Sequence, residues 1–151
     1  MEIRKYKESD KEQILELLRQ NTPKYFSPNE EQDLIYYLIN HADNYFVIVV
    51  DGSIMGCGGF NLSEDKEVGK ISWDIVSPKA QRHGYGSELT KFRIKKMKEI
   101  ESVKTISVRT SQLVYKFYEK FGLELKEVVK DYWDKGYDLY WLDCKVEAIK
   151  I

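Results

Sequence analysis

Between residues 68 and 109 the chain changes hydrophobic period twice, and that passage restricts the fold more than any other. The run from Val68 to Val76 alternates as a strand and stops at Ser77-Pro78. Gln81-Arg82-His83-Gly84-Tyr85-Gly86-Ser87 follows, and beyond it Leu89, Phe92, Met97 and Ile100 share a face with lysines opposite, which predicts a helix over residues 87–99. A strand pattern returns over residues 105–109. Two strands joined through a helix pair by a right-handed crossover and lie locally parallel, so the passage implies an α/β fold.

The flanks supply antiparallel partners. Glu2 to Lys7 reads as an edge strand, and Ser9-Asp10-Lys11-Glu12 has the form of a capping box in which Ser9 caps a helix bearing Ile14, Leu17 and Leu18 on one face. Pro23 and Pro28 bracket an aromatic loop containing Tyr25 and Phe26, and a second helix is expected over residues 30–41, burying Leu34, Ile35, Leu38 and Tyr37. The β-branched run at residues 45–50 ends in Asp51-Gly52, a strong hairpin signal, and the return strand at 53–61 carries Gly56, Gly58 and Gly59, which point to a bulge or a close backbone approach. After residue 109 the pattern predicts a helix at 112–121 and strands at 123–130 and 137–145. The order is βααβββαβαββ, a mixed and mostly antiparallel sheet flanked by helices in one domain over residues 1–151, with no internal repeat or linker.

With 24 Lys+Arg against 25 Asp+Glu, the chain lacks the basic excess that phosphate neutralisation on duplex nucleic acid requires, so no nucleic-acid partner is expected. Its 151 residues suffice for a real core without staples, since a domain of that size buries roughly 70% of its unfolded surface. Cys57 and Cys144 form no metal-ligand cluster and are expected as reduced thiols, with no metal. The N-terminus has no apolar signal region and no stretch approaches a membrane span, so a cytoplasmic protein without a membrane partner is expected.

The chemistry lies in residues 75–88. A strand end, two glycines that allow a ligand near the backbone, and a helix start aim several amide N–H groups at one space, an anion site aided by the helix dipole. A phosphate loop of the Gly-Lys-Ser/Thr type is excluded because Gly86 is followed by Ser87-Glu88. A dinucleotide site would need a third glycine and an acid after the next strand, where Thr110 and Ser111 stand.

Val76-Ser77-Pro78 and Gln81-x-x-Gly84-x-Gly86 resemble the pyrophosphate loop of the GNAT family of N-acetyltransferases, in which Gln/Arg-x-x-Gly-x-Gly/Ala follows a strand ending in apolar-x-Pro. The later segment Ser111 to Leu123 is similar to the family's Asn-x-x-Ala-x-x-x-Tyr-x-Lys-x-Gly-Phe helix. Tyr118, Lys120 and Gly122 match in register; Ser111, Val114 and Leu123 replace the asparagine, alanine and phenylalanine. With the element order, the resemblance covers nearly the whole chain.

The resemblance implies acetyl-CoA as co-substrate and a primary amine of a small molecule or peptide as acceptor, joined by direct attack in a ternary complex. It assigns the CoA pyrophosphate to Gln81, Arg82, His83, Gly84, Tyr85, Gly86 and Ser87, the pantetheine to the strand end at Asp74, Ile75 and Val76, and a coenzyme contact to Ser111. Tyr118 corresponds to the tyrosine that protonates the departing thiolate. Some relatives place a glutamate base where Lys70 and Val108 stand here, so Asp74 or a water relay is left to take the amine proton. Tyr25, Phe26 and Tyr132, with the acids and aromatics of residues 131–138, are the expected acceptor wall, suited to a cationic amine with apolar bulk. A non-catalytic acyl-CoA sensor and a nucleotide-binding regulator are the rival classes. Either a monomer or a homodimer is compatible, the latter through residues 139–142 and the C-terminal tail.

Overall fold

The computed structural model describes every residue except Gln81. Its strands are β1 (Glu2–Lys5), β2 (Tyr45–Val50), β3 (Ser53–Leu62), β4 (Val68–Val76), β5 (Thr105–Thr110), β6 (Glu124–Asp134) and β7 (Tyr137–Lys145). The helices are α1 (Lys11–Gln20), α2 (Glu31–Asn40), α3 (Tyr85–Lys98) and α4 (Tyr115–Glu119). Among the described residues the strands hydrogen-bond in the order β1-β2-β3-β4-β5-β7-β6, the expected α/β arrangement. The chain divides into two compact units, residues 1–60 with 73–93 and residues 61–72 with 94–151.

In the first unit Asp51 (φ 49°) and Gly52 (φ 80°) turn the β2–β3 hairpin, both residues taking the positive φ that matches strand twist. The expected bulge is at Met55: Ile48 pairs with Gly56 but Val49 pairs with Ile54. The continuous apolar run of β2 is buried on both faces. Tyr45 and Val47 join the core formed with Ile14, Leu18, Leu34 and Leu38 of α1 and α2, while Phe46 meets Phe60 and, edge-on at 5.1 Å, Phe92 of α3. Each such side chain stabilises the fold by about 1.5–3 kcal/mol relative to exposure.

The cap of α1 differs from expectation. A short 3-10 turn at Glu8–Asp10 precedes the helix, and Asp10 rather than Ser9 organises it. The buried Asp10 carboxylate accepts from Lys7 N–H at 2.9 Å and from both terminal nitrogens of Arg4 at 2.8 and 2.9 Å. The hydrogen bond from Arg4 holds its pKa below the ordinary carboxylate range.

In the second unit the crossover is as expected: β4 runs parallel to β5 from Val68 opposite Thr105 to Ile71 opposite Val108. Gly69 permits this packing, because a Cβ there would overlap the sulfur of Met97 on α3. Two elements differ. Instead of a helix over residues 112–121, α4 has five residues, because Gln112 spends its side chain on the last hairpin, donating to Gly136 C=O (2.9 Å) and accepting from Asp138 N–H (3.1 Å). β6 runs on to Asp134, so only residues 135–136 form the turn. β7 lies between β5 and β6, with Leu139 and Leu142 buried.

Candidate active site

Most of the sequence-derived site residues fall in the first unit. Strand β4 runs through Trp73, whose φ of 51° is rare for a non-glycine residue and marks a local kink. Tyr45 holds it by donating from its hydroxyl to Trp73 C=O at 2.8 Å. Phe26 stacks on the Trp73 ring at 6.1 Å and Tyr37 lies against it at 6.4 Å. Beyond the kink Ile75 is buried and Val76 half-buried. Buried Asn21 donates to Val76 C=O at 3.1 Å and Leu17 C=O at 2.8 Å, and Ser77 N–H donates to Met55 C=O at 2.8 Å, so the strand end is pinned from two sides.

The glycine segment then turns into α3. Gln81 lies outside the described residues. Arg82 (φ 76°) and Gly84 (φ 78°) both adopt left-handed backbone, and Arg82 and His83 are exposed, with His83 stacked on Tyr85 at 5.6 Å. At Gly84 a Cβ would meet nothing, so its glycine serves backbone conformation rather than space. The helix begins at Tyr85, two residues earlier than the glycine pattern suggests, and Glu88 N–H closes the first turn onto Gly84 C=O at 3.0 Å. The amides of Tyr85, Gly86 and Ser87 precede that closure and have no partner within the helix. With Lys95, Lys96 and Lys98 in its last turn, α3 is charged in the sense that complements its dipole.

Behind this helix start lies a residue that pattern reading missed. Arg93 is fully buried, and its guanidinium grips Asp74 bidentately, Nη1 to Oδ1 and Nη2 to Oδ2. Nη1 also donates to Gly59 C=O (3.0 Å), Nε to Leu89 C=O (3.2 Å) and Nη2 to Thr90 Oγ1 (3.2 Å). Thr90 Oγ1 in turn donates to Gly86 C=O at 2.8 Å. Gly58 is obligatory here, because an added Cβ would overlap the Asp74 carboxylate and reach Arg93 Nη1 at 2.9 Å. A signal existed: Arg93 stands four residues from both Leu89 and Met97, a charge placed on the apolar face of a helix. Asp74, a candidate base by its position, thus has both oxygens engaged by a guanidinium.

The acceptor candidates Tyr25 and Phe26 are half-buried in the α1–α2 loop, and Lys24 already places its ammonium 5.1 Å from the Tyr25 ring centre. Trp73, not named from sequence, and Tyr37, expected only as a buried residue of the second helix, join Phe26 in one aromatic cluster.

The second unit holds Ser111, Tyr118 and Tyr132. Tyr118 is buried on α4, edge-on to Phe117 at 5.1 Å. Gly122 (φ 96°) ends that segment where a Cβ would press on Ala148 C=O at 2.8 Å, and Lys150 N–H donates to Phe121 C=O at 2.7 Å, which binds the tail to α4. Ser111 Oγ accepts from Leu113 N–H at 3.3 Å in the turn before α4. Tyr132 is exposed on β6 against Trp133. The neighbouring acids are occupied by the hairpin: Asp131 accepts from Gly136 N–H (2.7 Å), Asp134 from Lys135 N–H (2.8 Å) and Asp138 from Asp131 N–H (2.9 Å). These bonds stabilise the turn. Among the described residues no group of three or more His, Cys, Asp or Glu side chains could hold a metal ion, and no helix is long and apolar enough to cross a membrane.

A mostly antiparallel sheet with one parallel crossover, entering its helix through a left-handed glycine turn, defines the α/β class of this fold. The chain matches the acetyltransferase (GNAT) family over residues 11–123 and belongs to that family. Amino-acid acetyltransferases of Neisseria meningitidis serogroups A and B are 30% identical over 89 residues, 56% of this chain and 20% of theirs, so the chain spans about a fifth of these relatives' length. An aminoglycoside 6'-N-acetyltransferase complexed with coenzyme A superposes with a TM-score of 0.77 at 16% identity, covering 97% of each chain. N-acetylglutamate synthase from Neisseria gonorrhoeae, complexed with coenzyme A and N-acetyl-glutamate, superposes with a TM-score of 0.75 at 23% identity over 96% of this chain and 35% of that one. These two likenesses show the shared fold.

Proposed function

We propose that the chain transfers an acetyl group from acetyl-CoA to a primary amine of a small molecule or peptide. The observation that carries this is the start of α3: three consecutive amide donors at Tyr85, Gly86 and Ser87, entered through left-handed Gly84, with exposed Arg82 alongside. A donor-only set of this kind fits a diphosphate. In this reading residues 82–87 hold the pyrophosphate, the backbone of Ile75 and Val76 orients the pantetheine, and acetyl-CoA supplies the activated thioester.

The amine nitrogen bonds to the thioester carbonyl carbon and the C–S bond breaks. The Tyr118 hydroxyl gives its proton to the departing sulfur and is reprotonated from solvent, while the nitrogen's proton leaves through water. Water fits that last task better than Asp74, whose carboxylate is held by Arg93. Replacing Tyr118 by Phe keeps the buried ring and removes the acid; a positioned general acid contributes typically 10²–10⁴-fold. We expect kcat at saturating acetyl-CoA to fall by about that factor, followed by CoA thiol release, and an unchanged kcat across pH would remove Tyr118 from the mechanism.

An acceptor panel headed by amino acids and aminoglycosides, the amines named for the relatives, and extended to polyamines and peptides with free N-termini, identifies the substrate. The engagement of Asp74 favours one second reading, a non-catalytic acyl-CoA sensor. CoA binding without thiol release on any amine would establish it.

A further inference from the structure

We infer that Arg93 is a positioning residue for the coenzyme, with Asp74 as its anchor, an inference that rests on the CoA reading above. All five N–H donors of a guanidinium are engaged at Arg93: Nε on Leu89 C=O, Nη1 on Gly59 C=O and Asp74, Nη2 on Asp74 and Thr90 Oγ1. Those acceptors sit on β3, on β4 and on the second turn of α3. Thr90 then passes the constraint forward to Gly86 C=O, in the turn whose amides face the ligand. One planar group therefore fixes the helix start against the strand end that orients the pantetheine.

Stability alone gives little reason for such a group. A buried ion pair replaced by apolar side chains of similar volume is often no less stable, because desolvation offsets the Coulombic gain. What apolar packing cannot reproduce is direction, since five divergent hydrogen bonds specify one orientation of α3 on the sheet. Lysine, a point charge with three donors, cannot span the same acceptors.

The test uses the full chain and calorimetric titration with CoA, alongside steady-state kinetics and melting temperatures. Thr90→Val is isosteric and leaves the Arg93–Asp74 pair intact while removing both bonds of the Thr90 hydroxyl, the one it donates to Gly86 C=O and the one it accepts from Arg93 Nη2. It is expected to weaken CoA binding and raise KM for acetyl-CoA by about 3–10-fold, the net worth of the link to Gly86, without a matching fall in kcat. The double variant Arg93→Met with Asp74→Leu preserves volume; it is expected to melt near the wild type yet lose more than 10-fold in CoA affinity. Wild-type affinity in a folded double variant overturns the inference. So does an Asp74→Asn variant that loses the acid limb of the kcat–pH profile while keeping its KM for acetyl-CoA, which makes Asp74 the base. Wild-type titration separates the two levels: if the wild type does not bind CoA, both the CoA reading and this inference fall, whereas wild-type binding with unaffected variants removes only the positioning role.

Discussion

Substituting Gly58 by Ala is the smallest perturbation that reaches the buried network. The new methyl carbon would overlap the Asp74 carboxylate and stand 2.9 Å from Arg93 Nη1, with the guanidinium carbon at 3.2 Å. None of these is the loose end of a flexible chain: Arg93 is 0% exposed and hydrogen-bonded on every nitrogen. Strain from overpacking alone costs typically about 1–3 kcal/mol, and separating a buried pair costs about 3–5 kcal/mol. A loss near 3 kcal/mol is expected, which for a domain of this size lowers Tm by about 6–12 °C. Gly56→Ala is the control, because its Cβ would make ordinary contacts, the nearest 3.4 Å away at Ile75 C=O. Calorimetric melting of both variants, then of Gly58→Ala in the Arg93→Met, Asp74→Leu background, completes a cycle in which the cost of the methyl group should largely vanish. A Gly58→Ala protein melting within about 2 °C of the wild type, against the expected shift, would show that the network yields easily and refute the reasoning.

Asp10 is held below its ordinary pKa by Arg4, so the unfolded chain binds more protons in the acid range. The stability it contributes is complete above about pH 4, near the unfolded carboxylate value, and is lost as pH falls through the lower folded value. Asp10→Asn should therefore flatten the acid limb of urea midpoints measured against pH. Burial pushes the Cys57 thiol up to about 12 and the Cys144 thiol up to about 11, so neither should react with an alkylating reagent at pH 8 until denaturant is added; labelling of the native protein would contradict that burial. Gly84→Val should abolish CoA binding, read by titration, while secondary structure by circular dichroism is retained, because the position has space for a side chain but demands positive φ.

Local chemistry was legible wherever neighbours in sequence decide the outcome. Asp51-Gly52 announced its hairpin, the glycines of β3 announced the bulge at Met55, and the strand–glycine–helix passage announced the parallel pair and the amide cluster at residues 85–87. Ser9 and the long version of α4 were misread because capping and helix length were settled by distant partners, Arg4 for Asp10 and the last hairpin for Gln112. The turn bonds of Asp131, Asp134 and Asp138 were not legible, because sequence shows charge but not what accepts which N–H.

By itself, then, the sequence determined the order of elements, the glycine turn into α3 and the family, since period, turn propensity and motif spacing are properties of contiguous residues. Only the tertiary structure decided that Asp74 is gripped by Arg93 rather than presented alone, that Trp73 kinks β4, and that Gly58 is obligatory. A guanidinium satisfied by acceptors on three elements has no one-dimensional signature beyond a charge on an apolar face. Its partners are set by where the chain returns in space, and burying such a group is tolerable only when all of its donors are met at once.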